Sequence, residues 1–406
     1  MPPRRDPSPR LTVALDATPL LGVRSGVGRF CAGALGALGA LGKHDELGAG
    51  WGLDVTAYAV TWRRRRQLPA LLPPGVEARQ RSMPARPLHL AWRRTNFPPV
   101  EWFVGSVAVV HGTNFVVPPS RRAQRVVTVH DLTTVRFPEL CDPATLVFPE
   151  LVRRAVAEGA WVHTPSQFVA EEVVAEFGAD PARVRAVHHG VDPPTLSATS
   201  SGSLAGPRHE RRLEASSGSS PESTERQPYL LAVGTIEPRK DYPGLVRAFD
   251  MVAGSRPDLR LVIAGAPGWG MEAFDRAVAG AHHGDRVVRD GYVDDARLAR
   301  LLAGACALVF PSRYEGFGFP PLEAMAAGIP VVATAAGAVP EVVGDAARLV
   351  EPGDVDGLAG AIDAVLGEES LRRSMVEAGR RRVAEFTWDA AAQGLARLYA
   401  DAMELR

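Results

Sequence analysis

Residues 311–341 read PSRYEGFGFPPLEAMAAGIPVVATAAGAVPE, and this segment is the most informative part of the chain for its architecture. The apolar run just before it, Ala307 to Phe310, predicts a buried strand. Pro320 and Pro321 suit the first turn of a helix, where the backbone N–H groups lack hydrogen-bond partners in any case. Val331 to Thr334 predicts the next strand. The stretch is therefore expected to form a strand–helix–strand unit of an open parallel sheet.

Two glutamates in this unit are the first candidate site residues. Glu315 lies on the loop after the strand, and Glu323 is expected in the first turn of the helix. Ligands of open parallel sheets bind outside the carboxyl ends of the strands, and free N–H groups at a helix start favour an anion. Gly316 and Gly318 allow the main chain to approach a ligand closely. We therefore expect a ligand with phosphate and hydroxyl groups, although the helix dipole alone also explains Glu323.

Length and composition restrict the class of protein. A chain of 406 residues exceeds what one hydrophobic core usually supports, so we expect two domains. The 46 basic and 46 acidic residues balance, which removes any global attraction to nucleic acid. Cys31, Cys141 and Cys306 lie far apart in the sequence, which argues against a disulfide framework or a zinc site and predicts a cytoplasmic protein. No apolar run approaches the roughly 18–20 residues that span a bilayer.

The block EGFGFPPLEAMAAGIPVV, residues 315–332, resembles the signature of the retaining glycosyltransferases of family 4. The resemblance extends from about Leu11 to the C-terminus. It implies an α/β chain of the GT-B fold, with two doubly wound Rossmann-like domains facing a cleft. It also implies transfer of a hexose from a nucleotide sugar with retention of the anomeric configuration, without a metal or another cofactor.

The expected domain organisation has five parts. Residues 1–10 form a disordered tail, and residues 11–194 form an N-terminal acceptor-side domain. Residues 195–227, rich in Ser, Gly, Glu and Arg, cannot bury enough apolar surface to fold and form a flexible linker. Residues 228–385 form the C-terminal domain that binds the nucleotide sugar. In the family, the last helix, here within residues 386–406, packs back on the first domain.

The glycine-rich loop from Leu21 to Phe30 lies between the first predicted strand and a helix that ends near Leu41. Such glycines indicate either a ligand near the backbone or only a tight turn. A dinucleotide dehydrogenase would need an acid after the second strand, which ends here in Val60-Thr61-Trp62, so we disfavour that class. The loop is similar to the family's Ser-Gly-x-Gly-Arg-Tyr segment, which assigns three residues to the acceptor side: Gly26, Gly28 and Arg29.

A histidine followed by an acid ends the predicted strand Arg125 to Val129. His130 and Asp131 therefore lie where pocket residues of parallel sheets lie, although a structural histidine with a capping acid also fits. The pair is similar to the His-Asp that the family places near the transferred sugar. We accordingly expect His130 and Glu315 to be the catalytic side chains.

Two cations, Arg239 and Lys240, come after the predicted strand Tyr229 to Val233 and just before a helix. Positive charge at a helix start opposes the helix dipole unless an anion lies between them. The segment is similar to the family's Gly…Arg-Lys motif, which assigns Gly234, Arg239 and Lys240 to the donor diphosphate. The family further implies contacts to the sugar, the ribose and the base by Glu323, Gly316, Phe317, Gly318, Leu322, Gly291, Tyr292 and Val293.

Residues 62–103 combine many arginines with tryptophan and phenylalanine, and Glu77 is the one acid between Trp62 and Val100. Such a segment could contact an anionic membrane surface or a lipid-linked acceptor. The alternative is a solvated face whose loops pack onto the domain. RNA is disfavoured because the charge of the chain is balanced elsewhere. Our hypothesis is peripheral contact with the cytoplasmic face of a membrane.

The resemblance thus implies a hexosyltransferase of polysaccharide biosynthesis that acts on a glycan or lipid-linked acceptor. Two segments, GTIEPRK at residues 234–240 and SGVGRF at residues 25–30, look more like those of mannosyltransferases, which favours mannose from GDP-mannose. A UDP-hexose donor is the first alternative. A sugar-nucleotide epimerase would need further acid and base side chains in the cleft, where only His130 and Glu315 stand out. A non-catalytic protein that binds sugar nucleotides is the last alternative.

Overall fold

The computed structural model describes residues 10–22, 26–42, 52–192 and 227–404, which form two α/β domains. The first domain has a seven-stranded sheet of order β3-β2-β1-β4-β5-β6-β7 with parallel pairing. Its strands are β1 Arg10–Asp16, β2 Gly52–Tyr58, β3 Glu77–Arg79, β4 Val109–Gly112, β5 Gln124–Thr128, β6 Trp161–Thr164 and β7 Val184–Ala186. Its helices are α1 Gly26–Leu41, α2 Ala85–Arg94, α3 Glu101–Val104, α4 Thr133–Arg136, α5 Phe148–Ala157 and α6 Gln167–Phe177.

The second domain has a six-stranded parallel sheet of order β10-β9-β8-β11-β12-β13. Its strands are β8 Tyr229–Val233, β9 Arg260–Ala264, β10 Val287–Gly291, β11 Ala307–Phe310, β12 Val331–Thr334 and β13 Ala347–Val350. The helices that follow are α7 Tyr242–Ala253, α8 Met271–Gly280, α9 Asp295–Gly304, α10 Phe319–Ala326, α11 Val339–Val343, α12 Val355–Gly367, α13 Glu369–Val383 and α14 Trp388–Glu404. The predicted fold class, two doubly wound Rossmann-like domains, is confirmed.

The central strands are apolar because helices cover both faces of each sheet. All four residues of β11 and of β12 are buried, and short runs of valine, leucine and alanine make up most of both strands. The chain reverses its strand order between β1 and β4 and again between β8 and β11. These two switch points open crevices at the carboxyl ends of the strands, which is where such sheets bind ligands.

Helix α14 belongs by sequence to the end of the chain but packs on the first domain. Its buried side chains, among them Leu395 and Tyr399, share one apolar cluster with Val13 and Leu15 of β1 and with Phe30 of α1. The chain passes between the domains beside this helix, where the N–H of Val191 donates to the carbonyl of Phe386 at 2.9 Å.

Three boundaries differ from the sequence prediction. Helix α1 begins at Gly26 rather than after the glycine-rich loop, so Gly26, Gly28 and Arg29 lie in its first turn. The glycines are helical there because Gly28 is buried and Gly26 faces the ring of Phe319 at close range. Arg10, which was expected in the tail, starts β1 and donates from its Nε to Asp54 at 2.9 Å.

Helix α10 begins at Phe319, so Glu323 falls just beyond the first turn, which contains no acid. The prolines at positions 320 and 321 lie at the helix start as expected. The remainder of the predicted tail and residues 195–226 of the predicted linker lie outside the described residues. In the part of the chain that the structure describes, no helix is both long and apolar enough to cross a membrane.

Candidate active site

Two of the three predicted diphosphate ligands, Arg239 and Lys240, meet Glu315 at the switch point of the second sheet. The Lys240 ammonium lies 2.6 Å from one carboxylate oxygen of Glu315, and Arg239 Nη1 lies 2.7 Å from the other. Arg239 also donates to Glu237 Oε1 at 2.7 Å and to the carbonyl of Tyr314 at 2.8 Å. The structure therefore brings together, in one buried cluster, side chains 75 residues apart in the sequence.

Glu315 is ionised in this cluster. Burial alone would raise its pKa, but the charges of Arg239 and Lys240 and the hydrogen bond from Lys240 lower the pKa to about 2. Each carboxylate oxygen accepts from one cation, and an oxygen of this type can accept a second donor. Glu315 can therefore both orient the cations and accept a hydrogen bond from a substrate hydroxyl.

The backbone around the cations is shaped by Gly234 and Asp241. Gly234 has a φ of +143°, and a Cβ there would come within 3.2 Å of the Lys240 side chain. Asp241 has a φ of +46°, which aspartate tolerates better than most residues, and its side chain caps α7 by accepting from the N–H of Gly244. The Lys240 side chain packs against Gly234, and its ammonium lies over the ring of Phe310, 4.7 Å from the ring centre.

The loop 316–318 joins this cluster to the first domain. A Cβ on Gly316 would overlap the carbonyl oxygen of His130, so only glycine permits the contact between the two domains at this point. Gly318, with a φ of +109°, precedes α10. The side chains of Phe317 and Leu322 are buried in the core of the second domain, so only their backbone groups can face a ligand.

Glu323 forms an ion pair with Arg29 across the crevice between the domains. The pair joins a residue predicted to bind the ribose to one predicted on the acceptor side. The second carboxylate oxygen of Glu323 is buried and accepts no hydrogen bond from any described residue. A buried acceptor without a donor is costly, and a ligand hydroxyl would satisfy it.

His130 lies on the opposite side of the crevice, at the end of β5. Its Nε2 is 2.8 Å from the carbonyl of Thr113, which can only accept, so Nε2 carries the proton. Burial lowers the pKa of His130, and the ring is therefore neutral near pH 7. The neutral ring offers Nδ1 as a hydrogen-bond acceptor, beside the rings of Phe30 and His189 at centre distances of 5.4 and 5.8 Å.

The predicted base-binding segment ends β10. Gly291 has a φ of +71° and pairs with Ala264 of β9 after a register shift that follows Arg289, and Tyr292 beyond it is 54% exposed. Val293 is half-buried against the core. The segment lies at the carboxyl edge of the second sheet, as Gly234 does, but no described contact joins it to Arg239 or Lys240.

Several residues at this site were not predicted. Tyr314 donates to Glu172 and accepts from the N–H of Leu132 at 2.9 Å, which fastens the second domain to the first. His189 is only 2% exposed and stacks on Phe30 at 4.3 Å, and its Nδ1 has no hydrogen-bond partner among the residues that the structure describes. These contacts connect residues far apart in sequence, and no local pattern could reveal them. In the described ranges no group of three metal-binding side chains occurs.

Comparison with known proteins places both halves of the chain in the same group. Residues 218–382 match the family described as glycosyl transferases group 1, and residues 35–194 match glycosyltransferase family 4. The fold is similar to that of a sucrose-phosphate synthase from Thermosynechococcus elongatus, with a TM-score of 0.70 and 21% identity. That similarity covers 98% of this chain and 100% of the other.

Sequence identity to two curated relatives shows the family. The O-antigen chain mannosyltransferase B of Escherichia coli is 31% identical over 69% of this chain and 71% of its own length. The D-inositol 3-phosphate glycosyltransferase of Mycobacterium sp. (strain JLS) is 32% identical over 68% of this chain and 60% of its own length. With these similarities and the cluster around Glu315, the chain belongs to the group 1 glycosyl transferases, glycosyltransferase family 4, and is a hexosyltransferase of the GT-B fold.

Proposed function

We propose that this hexosyltransferase takes mannose from GDP-mannose and transfers it, with retention of configuration, to a glycan or lipid-linked acceptor in polysaccharide biosynthesis. The observation that carries the proposal is the cluster of Arg239, Lys240 and Glu315 at the switch point, which suits a diphosphate beside a sugar. The mannosyltransferase from Escherichia coli supports mannose as the transferred sugar.

In the proposed reaction, the bond between the anomeric carbon and the diphosphate oxygen breaks while the acceptor oxygen bonds to that carbon on the same face. The acceptor proton passes to the leaving phosphate oxygen. Arg239, Lys240 and the start of α10 stabilise the charge that grows on the diphosphate. No metal is needed in this scheme because the two cations and the helix amides supply the positive potential, so turnover in excess EDTA should equal turnover without it.

Glu315 and His130 would hold the sugar from opposite sides. The carboxylate of Glu315 accepts from one sugar hydroxyl with the amides of residues 316–318 beside it. The neutral His130 accepts from another hydroxyl through Nδ1, since Nε2 is already used on Thr113. Glu323 would exchange its contact with Arg29 for the ribose hydroxyls, which also satisfy its second oxygen.

A panel of nucleotide sugars tests the donor. We expect GDP-mannose to raise the melting temperature more than UDP-glucose or ADP-glucose at the same concentration, because a ligand that binds the folded state stabilises it. NMR of the product should then show an α-linked mannose, as in the donor. A larger rise in melting temperature with UDP-glucose would mean that UDP-glucose, not GDP-mannose, is the donor. A β-linked product would exclude retention of configuration.

We further propose that residues 62–103 contact an anionic membrane surface. Four large apolar side chains in this segment are half or more exposed: Trp62, Leu90, Phe97 and Trp102. On α2, Leu88 and Trp92 face the core, whereas Arg86, Leu90 and Arg94 are exposed on the other side. An exposed helix face with a leucine between arginines suits the headgroup region of anionic lipids.

Sedimentation with phosphatidylglycerol liposomes at low salt tests this contact. The double variant Arg86→Gln/Arg94→Gln should lose about 2 kcal/mol of binding, since each cation near an anionic surface contributes about 1 kcal/mol. The control Arg373→Gln/Arg381→Gln removes two exposed cations from α13 and should bind as the wild type does. Equal binding of both variants, or no sedimentation of the wild type, would remove the proposal.

A further inference from the structure

Glu341, on α11 of the second domain, makes an unusually complete set of contacts with the first domain. Its Oε1 accepts from the N–H of Gln167 at 2.8 Å, and its Oε2 accepts from the N–H of Phe168 at 2.9 Å. His188 Nε2, also in the first domain, lies 2.8 Å from Oε1. One carboxylate thus has three partners across the domain boundary.

The contact is favourable because of where these amides lie. Gln167 and Phe168 are the first two residues of α6, and the first N–H groups of a helix have no partners within it. The helix dipole also favours negative charge at this end. Burial would raise the pKa of Glu341, but hydrogen bonds from His188 and the two amides lower it. The carboxylate is therefore ionised at neutral pH, and its hydrogen bonds are charge-assisted.

The same helix start also holds the loop next to Glu315. Ser166, the N-cap of α6, donates from its hydroxyl to the carbonyl of Gly316 at 2.8 Å. On the side of α11, the N–H of Ala338 donates to the carbonyl of Glu315 at 2.8 Å. Glu341 and the loop 315–318 are therefore fastened to one another and to α6.

We propose that Glu341 is a positioning residue for glycosyl transfer. It holds the two domains in the relative position that places the loop 315–318 opposite His130. This rests on the proposed role of that loop in holding the donor sugar. The diphosphate cations lie wholly in the second domain, so binding of the nucleotide does not require the contact. Loss of Glu341 should therefore impair transfer while leaving nucleotide affinity intact.

Glu341→Ala and Glu341→Gln test the role, with Glu171→Gln as the matched control. Glu171 is an exposed carboxylate on α6 whose one described partner is Gln167 of the same helix. Three quantities are measured for each protein: GDP affinity by calorimetry, GDP release from GDP-mannose, and hydrogen exchange of the amides of Gln167 and Phe168. Glu341→Gln keeps the side-chain length and one acceptor oxygen, so it should rescue part of the loss.

For Glu341→Ala we expect kcat to fall on the order of 100-fold, the scale of an error of about 1 Å in placing reacting groups. The Kd for GDP should stay within about twofold, and the two amides should exchange faster. Glu341→Gln should lie between Ala and wild type, and Glu171→Gln should match the wild type.

A kcat for Glu341→Ala within about twofold of wild type would overturn the proposal, as would equal losses of kcat and GDP affinity. If wild type does not use GDP-mannose, the proposed donor is wrong, and the transfer arm is run with UDP-glucose. If neither donor is turned over, the amide exchange decides: unchanged protection of Gln167 and Phe168 in Glu341→Ala would overturn the positioning contact.

Discussion

The carboxylate of Glu315 pairs with two cations that would otherwise bind a diphosphate. In the protein alone, Arg239 and Lys240 are neutralised by this one acid and by Glu237. An incoming diphosphate therefore competes with Glu315 for the same N–H donors. The pairing keeps buried cations satisfied before the donor arrives, which avoids the large cost of an unpaired buried charge.

The variant Glu315→Gln tests how the negative charge of Glu315 affects stability and GDP binding, separately from its role in turnover. Removing the carboxylate leaves two buried cations without their shared partner, so the free energy of unfolding should fall by about 3–5 kcal/mol. GDP should bind at least as tightly as to wild type, because its diphosphate no longer competes with an acid. Turnover of the donor should nevertheless drop, since the sugar hydroxyl loses an ionised acceptor. Calorimetry, denaturant unfolding and GDP release measure the three effects.

Glu351→Gln is the control for net charge, since Glu351 is exposed in the same domain. It should change none of the three quantities appreciably. Weaker GDP binding in Glu315→Gln would contradict the competition and would mean that Glu315 assists the nucleotide directly.

At the scale of elements, a chain of hydrogen bonds joins α14 to the first sheet. The carbonyl of Val187 only accepts, so His163 donates to it from Nε2 at 3.1 Å and accepts from the Thr128 hydroxyl at 2.9 Å. Thr128 then accepts from His111 Nε2 at 2.8 Å, and His111 Nδ1 accepts from the Tyr399 hydroxyl at 2.7 Å. Each proton position follows from the one before it.

Tyr399→Phe breaks this chain at α14. The variant leaves Nδ1 of the buried His111 without a donor, so we expect the free energy of unfolding to fall by about 1–3 kcal/mol. Tyr58→Phe is the matched control, because the Tyr58 hydroxyl is buried in the same domain and has no partner among the described residues. Its removal should be neutral or stabilising. Equal losses in the two variants, measured by denaturant unfolding, would contradict the network.

Elements with strong local patterns were predicted well. The strands Ala307–Phe310 and Val331–Thr334 are confirmed residue for residue, because buried parallel strands appear as short apolar runs between turn residues. Helix α1 starts earlier than the sequence predicts, because glycines favour a loop whereas here Gly26 lies in the helix beside the ring of Phe319. Helix propensity alone cannot anticipate such packing.

The candidate site was predictable only in part, because some of its contacts join residues that are far apart in the sequence. Arg239, Lys240 and Glu315 carry recognisable motifs, and the structure groups them. The pairing of Arg29 with Glu323 and the docking of Glu341 on α6 join segments from different domains. Such contacts depend on how two folded domains meet, which no local periodicity or spacing encodes. Their assignment to substrate groups stays a prediction.

At the scale of the whole molecule, buried histidines should make the protein sensitive to acid. Burial lowers the pKa of His111, His130, His163 and His189, for His163 to about 3. Below the ordinary value near 6.5, and down to the lowered pKa of each histidine, the unfolded chain binds protons that the folded chain refuses, so stability falls as pH falls. Asp16, whose pKa burial raises to about 6, acts in the opposite direction but is a single group.

The melting temperature should therefore decrease from pH 7 to pH 5 at constant ionic strength. Each of these histidines contributes up to about 1.4 kcal/mol per pH unit within its window. A melting temperature that is constant or higher at pH 5, followed by circular dichroism, would contradict this expectation.

Binding of a nucleoside diphosphate to the cations beside Glu315 can be measured by calorimetric titration of GDP into wild type and Lys240→Ala. We expect Lys240→Ala to weaken GDP binding about 10- to 100-fold, the effect of losing one charged hydrogen bond. The control Arg300→Ala removes an exposed cation of α9 and should bind GDP as wild type does. If Lys240→Ala binds GDP as tightly as wild type does, the diphosphate does not lie at these cations, and the proposed donor site is contradicted.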